Sequence, residues 1–223
     1  MNTATTIPVI AIDGPTASGK GTVSARIAKQ LGWHMLDSGA IYRIAAFAVL
    51  KAGINPEDHA HALELIRKIK IRFEDDRAFL DEQDVTQEIR QEHVGNLASR
   101  LAPNAELRAA LLELQRDFKR APGLVADGRD MGTVVFPDAT LKIYLEADVE
   151  ARARRRYQQL VIQGKQTKLE AVLADLQSRD ARDMEREVAP LRPAEDAQRI
   201  DSSELSIDET VDRILSCWEA VKQ

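Results

Sequence analysis

Gly14-Pro15-Thr16-Ala17-Ser18-Gly19-Lys20-Gly21-Thr22 sets glycines, a lysine and a hydroxyl in the spacing G-x-x-x-x-G-K, directly after the apolar run Ile7 to Ile12. Such glycines let backbone N–H groups converge on phosphate oxygens. A helix opening at the lysine adds its partial positive charge, and the Lys20 ammonium can bridge the β- and γ-phosphates of a nucleotide. The residue after the lysine is Gly21, where the general pattern has Ser or Thr, and the hydroxyl arrives one place later at Thr22. The spacing therefore does not specify direct ligation of a metal by this turn.

Arginine is the second concentration of chemistry. The chain offers Arg43, Arg108, Arg129, Arg179, Arg182 and Arg186, with Arg152, Arg154, Arg155 and Arg156 crowded into one stretch. The planar guanidinium donates bidentately to phosphate. Transfer to a hydroxyl calls for a general base, whereas a phosphate acceptor is already anionic at neutral pH. Its approach to a second polyanion has to be screened by fixed cations, because the repulsion reaches several kcal/mol at contact distance in a partly desolvated site. Arg129 stands out within Asp127-Gly128-Arg129-Asp130-Met131-Gly132-Thr133, just beyond the apolar run Leu124 to Ala126, where ligands bind in open α/β sheets. Each of the crowded arginines, taken alone, reads as one face of a solvated helix.

A third constraint separates phosphoryl transfer from hydrolysis. No Asn/Thr-Lys-x-Asp segment for reading guanine occurs, and Asp127, the natural metal-facing carboxylate at a strand end, is followed by Gly128 where a motor ATPase carries a water-activating Glu. His59 and His61 are two apart, the wrong spacing for one helix face, and His34 and His93 are isolated, so a histidine metal site is not expected.

Alternating strands and helices must position these groups. Ile7 to Ile12 reads as a strand buried on both faces, Val23, Ile27, Ala28 and Leu31 as a helix, His34 to Leu36 as a second strand, and Asp37-Ser38-Gly39 as the cap of a second helix. Asn55-Pro56-Glu57 predicts an N-cap for a helix to about Lys68. Ile69, Ile71 and Phe73 then alternate with polar residues, Asp75-Asp76 predicts a turn and Ala78-Phe79-Leu80 a returning strand, together a small antiparallel insert. Helices are expected around His93 to Leu101 and from Asn104 to Arg120. Central strands are expected at Leu124 to Asp127 and Leu141 to Leu145, and arginine-rich helices at Val149 to Val161 and Lys168 to Glu187. Arg199 to Asp201 predicts a last strand, and Ser206 to Glu209 a capping box opening the final helix.

The 31 Lys and Arg against 36 Asp and Glu leave a net charge of −5, and 4% aromatics leave few stacking platforms, which together argue against a nucleic-acid-binding surface. A single cysteine, Cys217, excludes an internal disulfide and a cysteine zinc site. Met1 to Ile12 lacks a basic residue, and the longest apolar run, Ile44 to Leu50, is far too short to span a bilayer, so a soluble cytoplasmic protein without a membrane partner is expected.

Four motifs in order, GPTASGKGT at Gly14 to Thr22, DSGAIYR at Asp37 to Arg43, DGRDMGT at Asp127 to Thr133 followed by VVFPD, and RDARD at Arg179 to Asp183 ahead of VAPL, resemble the bacterial cytidylate kinases over essentially the whole chain. The resemblance implies an α/β fold of the P-loop NTPase type: an open parallel sheet with helices on both faces, a small inserted nucleotide-binding module and an arginine-rich lid. It divides one kinase domain into a core of about residues 1–37, 104–150 and 188–223, a monophosphate-binding region 38–103 with its β insert, and a lid 151–187. Gly14 to Thr22 are then the residues that grip ATP, with Lys20, Arg129 and Arg186 catalytic. Ser38, Arg43, Arg129 and Arg186 hold the acceptor phosphate, Ser99, Arg108 and Asp130 read the cytosine, and Arg179 and Asp183 bind the ribose. Arg154, Arg155 and Arg156 are equal lid candidates for the transferring phosphoryl group. Mg2+ is implied mainly through ATP and water, with Thr22 and Asp127 as candidate direct ligands, and the state implied is a monomer.

The activity so implied is transfer of the γ-phosphoryl group of ATP to CMP or dCMP, giving ADP and the diphosphate by positioning and charge stabilisation, with a lid excluding water. Uracil would leave Asp130 unpaired, a penalty of about 1–3 kcal/mol. Replacing Arg129 by alanine is expected to cost at least about two decades of kcat/KM with little loss of stability. The alternatives are a UMP/CMP-type kinase, a kinase of a small hydroxyl metabolite with Asp37 or Asp127 as base, and, more remotely, a nucleotide-sensing regulatory protein.

Overall fold

The computed structural model describes residues 6–74 and 77–222. In chain order the strands are β1 (Val9–Asp13), β2 (His34–Asp37), β3 (Ile71–Glu74), β4 (Arg77–Leu80), β5 (Gln83–Asp84), β6 (Leu124–Gly128), β7 (Leu141–Glu146) and β8 (Gln198–Asp201). The helices are α1 (Lys20–Leu31), α2 (Ser38–Lys51), α3 (His59–Ile66), α4 (Glu92–Leu101), α5 (Ala105–Arg116), α6 (Val149–Ile162), α7 (Leu169–Glu185) and α8 (Ile207–Val221). The chain forms two units: the described residues of Met1–Leu36, Arg116–Glu185 and Ala189–Gln223 in the first, and those of Asp37–Gln115 with Arg186–Val188 in the second.

The first unit is built on a five-stranded sheet in the order β2-β6-β1-β7-β8, an α/β arrangement. The β6·β1, β1·β7 and β7·β8 pairings are parallel, with Asp13 opposite both Gly128 and Tyr144. Every residue of β1 and β6 is buried, as the uninterrupted apolar runs require of central parallel strands. Ile10 and Ile12 pack with Val23 and Ile27 of α1 and with Val211, Ile214 and Trp218 of α8. β1 starts at Val9, two residues after the expected Ile7. Pro8 has no N–H to give, and only its carbonyl joins the ladder, accepting from Leu124 N at 3.0 Å. The capping box at Ser206 and Glu209 is present.

The second unit holds the insert, a three-stranded sheet in the order β3-β4-β5. Arg72 lies opposite Phe79 and sets its guanidinium carbon 4.1 Å from the ring centre, a cation–π contact across the antiparallel pair. The expected turn at Asp75-Asp76 lies outside the described residues. β5 was not legible in the sequence, because two residues carry no alternation. Ala40, Ile44 and Ala48 of α2 bury themselves against Ala78, Leu80, Val85 and Ile89.

Several helix boundaries differ from the sequence expectation, among them the end of α3 at Ile66 and of α7 at Glu185, and two have a visible hydrogen-bond origin. Asn55 does not cap α3: its side chain accepts from Glu57 N at 3.1 Å within a turn around Pro56, and Asp58 caps instead by accepting from His61 N at 3.2 Å. α5 ends at Arg116, where Lys119 N turns back to Arg116 O at 3.0 Å, so the helix stops before Phe118 and the Ala121-Pro122 step.

Candidate active site

The phosphate-binding turn sits between β1 and α1 in the first unit. Gly14 has φ +154°, and a β-carbon there would lie 2.0 Å from the carbonyl oxygen of Leu145, so no side chain fits. Gly19, at φ 91°, caps α1 in a left-handed conformation, and Ala17 holds φ 61° without being glycine, a costly conformation of the kind that collects at ligand sites. The buried Lys20 ammonium donates to Pro15 O at 2.7 Å and to Ser18 Oγ at 3.2 Å. Burial, then the nearby Arg129, lower its pKa to about 7 against the pull of Asp127, Asp13 and Asp183. Thr22 is exposed on the first turn of α1. Asp127, nearly buried at the end of β6, has its Oδ2 3.4 Å from where a β-carbon of Gly21 would stand, so this carboxylate lies beside the start of α1.

Arg129 leaves β6 and turns towards the same place. Its Nε donates to Asp183 Oδ2 at 2.8 Å, its Nη2 to Thr16 Oγ1 at 2.8 Å and its Nη1 to Gly128 O at 3.2 Å. Burial works against the charge, but Asp183, with Asp127 and Asp180 behind it, outweighs burial and raises the pKa. Asp130 is buried beside it and precedes a five-residue π-helical turn, Met131–Val135. α7 presents Val172, Leu176, Asp180 and Asp183 as its buried stripe. That face is apolar where it packs on Ala153 and Leu160 of α6, and it becomes acidic where Asp183 meets Arg129 and Asp180 meets Arg152. Arg179, a ribose candidate, pairs along α7 with Asp175 at 2.9 Å.

The arginines of α6 divide sharply. Arg155 donates through Nη2 to Ser202 O at 2.6 Å, Ser203 O at 2.9 Å and Leu205 O at 3.4 Å, which ties it to the loop between β8 and α8. Arg156 reaches Gln159 Oε1 at 3.2 Å and Arg154 is exposed. Arg152, which was not among the equal lid candidates Arg154, Arg155 and Arg156, reaches the phosphate-binding turn. It is buried, donates to Thr16 O at 3.0 Å and Ala147 O at 2.8 Å, and pairs with Asp180 at 2.7 Å. No spacing along α6 singled it out, because Arg156 and not Arg152 stands three positions from Ala153 and four from Leu160. Asp13 was also passed over, although a carboxylate closing an otherwise apolar strand is conspicuous.

The remaining candidates belong to the second unit. Asp37 caps α2 by accepting from Ala40 N at 2.9 Å, and its other oxygen accepts from Arg43 Nη2 at 3.0 Å. Arg43 Nε is buried with no hydrogen-bond partner among the described residues. Ser38 is buried at the start of α2, and Ser99 lies half-buried on α4. Arg108 is buried near the start of α5, donates to Ala102 O at 3.1 Å and lies 5.5 Å from the ring centre of Tyr42. Arg186 is buried in the short segment Arg186–Val188.

A glycine-rich turn between a central parallel strand and a helix opened by lysine, with a carboxylate at the neighbouring strand end and arginines fixed on the turn, defines a P-loop phosphotransferase. The family model described as cytidylate kinase matches residues 10–220. A cytidylate kinase of Bordetella bronchiseptica is 55% identical over 213 residues, 96% of each chain, and one of Cupriavidus pinatubonensis is 50% identical over 219 residues, 98% of this chain and 99% of that one. The chain belongs to the cytidylate kinase family. The crystal structure of an uncharacterized protein from Eubacterium ventriosum superimposes with a TM-score of 0.51 at 12% identity, covering 96% of this chain and 98% of the other, a likeness of fold alone.

Proposed function

We propose that this enzyme transfers the γ-phosphoryl group of ATP to CMP or dCMP, forming ADP and CDP or dCDP. The observation that carries the reading is Arg129 held on Thr16 of the phosphate-binding turn, in a chain 55% identical to a cytidylate kinase over nearly its whole length. Gly14 to Thr22 grip the ATP phosphates, and Lys20 supplies charge at the β- and γ-phosphates. Arg152 joins Lys20 on the donor side. Ser38, Arg43, Arg129 and Arg186 take the acceptor phosphate, and the unspent Nε donor of Arg43 supports its part in this. Ser99, Arg108 and Asp130 read cytosine, and Arg179 and Asp183 take the ribose. Residues 38–103 serve as the monophosphate-binding region and 151–187 as the lid.

Mg2+ bound with ATP supplies charge neutralisation across the phosphates. The donor set suits it. Asp127 offers an anionic oxygen beside Gly21, which suits a hard cation whose other ligands come from nucleotide oxygens and water. No described helix is long and apolar enough to cross a membrane. We place the enzyme in the cytoplasm as a monomer that binds no nucleic acid.

The test is to supply purified protein with MgATP and, separately, CMP, dCMP, UMP, AMP and GMP, measuring ADP and the diphosphate formed. Strong preference for CMP and dCMP is expected. Failure of every monophosphate to accelerate ADP formation would overturn the reading.

A further inference from the structure

Asp13 closes β1 and immediately precedes Gly14, the first residue of the phosphate-binding turn. Its side chain accepts two successive backbone donors: Met131 N–H at Oδ1 and Gly132 N–H at Oδ2, each at 2.8 Å. Those two residues directly follow Arg129 and Asp130. They open the π-helical turn, in which Asp130 O accepts from Val134 N at 2.9 Å and Val135 N at 3.1 Å. The carboxylate thus joins the end of the strand that launches one binding segment to the loop that carries another.

The chemistry of the position is narrow. A small carboxylate offers two acceptor oxygens and no donor when ionised, whereas an amide of the same shape would turn an NH2 towards one of the two backbone N–H groups. The loop also fits closely, since a β-carbon on Gly132 would come within 3.2 Å of Lys142 Cγ and Cδ and 3.4 Å of Asp13 Oδ2. Val9 and Ala11, on the same side of β1, are apolar and buried. Asp13 is a carboxylate buried to 4% exposure. Burial raises its pKa to about 7, against the pull of the Gly132 and Met131 donors and of Lys20, with Asp130 adding to the rise. A group kept at that cost has a purpose beyond filling space.

We propose that Asp13 is a positioning residue that, through the Met131 and Gly132 N–H groups, holds Arg129 and Asp130 in register with the phosphate-binding turn. It touches neither substrate and acts by fixing where the acceptor-facing groups stand relative to the donor phosphates. This rests on the reading of Arg129 and Asp130 as acceptor-binding residues.

The experiment is steady-state kinetics of Asp13→Asn and Asp13→Glu beside the wild type and Arg129→Ala. ATP, CMP and UMP are varied in turn, and the melting temperature of each protein is recorded. Asparagine keeps the shape and loses one acceptor, while glutamate keeps the charge and displaces it by a methylene. Both variants are expected to fold and to hold the KM for ATP within about threefold of the wild type. The kcat/KM for CMP is expected to fall at least about tenfold, and the CMP:UMP ratio to shrink with it. Turnover of CMP within about threefold of the wild type, matching losses on the ATP and CMP sides, or an unchanged CMP:UMP ratio overturns the proposal. Failure of both variants to fold overturns it too, because the carboxylate then serves stability alone. Retention of CMP turnover by Arg129→Ala instead removes the acceptor reading itself, whatever the Asp13 variants do.

Discussion

Arg129 and Asp183, 54 residues apart in the chain, meet through Nε and Oδ2 at 2.8 Å, and the same guanidinium reaches Thr16 Oγ1 at 2.8 Å. One arginine therefore links the end of a central strand, the last turns of α7 and the phosphate-binding turn. The Asp183 side chain is 9% exposed and that of Arg129 26%, so the pair lies between a surface bridge and a fully buried one.

Arg129→Ala is expected to lower kcat/KM for CMP about 100-fold or more. The sequence alone suggested little loss of stability. The ion pair changes that expectation, because the variant leaves a nearly buried carboxylate without its partner, at a cost of about 1–2 kcal/mol. Arg129→Ala combined with Asp183→Asn should recover stability without recovering turnover. Denaturant titration and initial rates on both variants check this, and a double variant no more stable than the single one contradicts it.

Lys20→Met is expected to abolish turnover while melting above the wild type at pH 7. The folded-state pKa of Lys20, about 7, lies below its ordinary value of 10.5, so the native state carries the charged amine unfavourably below pH 7. That burden is relieved as the pH rises from 7 towards 10.5, and the stability of the wild type gains on the variant over this window. Melting curves across the window are the measurement. A variant that melts below the wild type at pH 7 refutes the prediction.

Arg152→Ala and Arg155→Ala, three positions apart on one helix, are expected to fail differently. Arg155 satisfies backbone carbonyls of Ser202, Ser203 and Leu205, so its loss should lower stability by about 1–3 kcal/mol and leave the KM for ATP near the wild-type value. Arg152 bonds the carbonyl of Thr16 and pairs with Asp180, so its loss should raise the KM for ATP about tenfold. Parallel rate and melting measurements separate the two, and equal effects on ATP use sink the distinction.

Gly14→Ala is expected to lose more than about 4 kcal/mol of stability, because the new methyl would stand 2.0 Å from Leu145 O, a backbone atom of the central strand β7 that cannot yield. Gly32→Ala, at φ 66° with nothing within 4 Å of the added carbon, should lose far less. Circular dichroism melts on both compare a clash with conformational strain alone.

Much of the molecule is local and was therefore legible. Ile10 and Ile12 are apolar because a central parallel strand has no wet face, Gly14 to Lys20 carry the spacing that phosphate demands of a backbone turn, and Ser206 with Glu209 announces a helix start. Each of these is settled within a few residues, by backbone sterics, hydrogen-bond supply or burial. The helix start expected at Asn55 and the helix end at Arg116 turned on which of several neighbouring polar groups captured a backbone N–H, a competition decided by about 1 kcal/mol or less.

The choice among equivalent side chains was not legible, because charge type and spacing along α6 are the same for an arginine that fastens a loop and for one that reaches a phosphate-binding turn. Only the folding of α7 against α6, which brings Asp180 to Arg152 and Asp183 to Arg129, separates them. Asp13 was likewise ambiguous until the parallel pairing of β1 with β6 delivered the Met131 and Gly132 N–H groups to its two oxygens. Sequence by itself determined which chemistry this chain can perform, since that depends on residue types at short spacing. Tertiary structure decided which copy of each residue reaches the phosphate-binding turn, since a charge acquires its surroundings from partners more than a hundred residues away that no local pattern encodes.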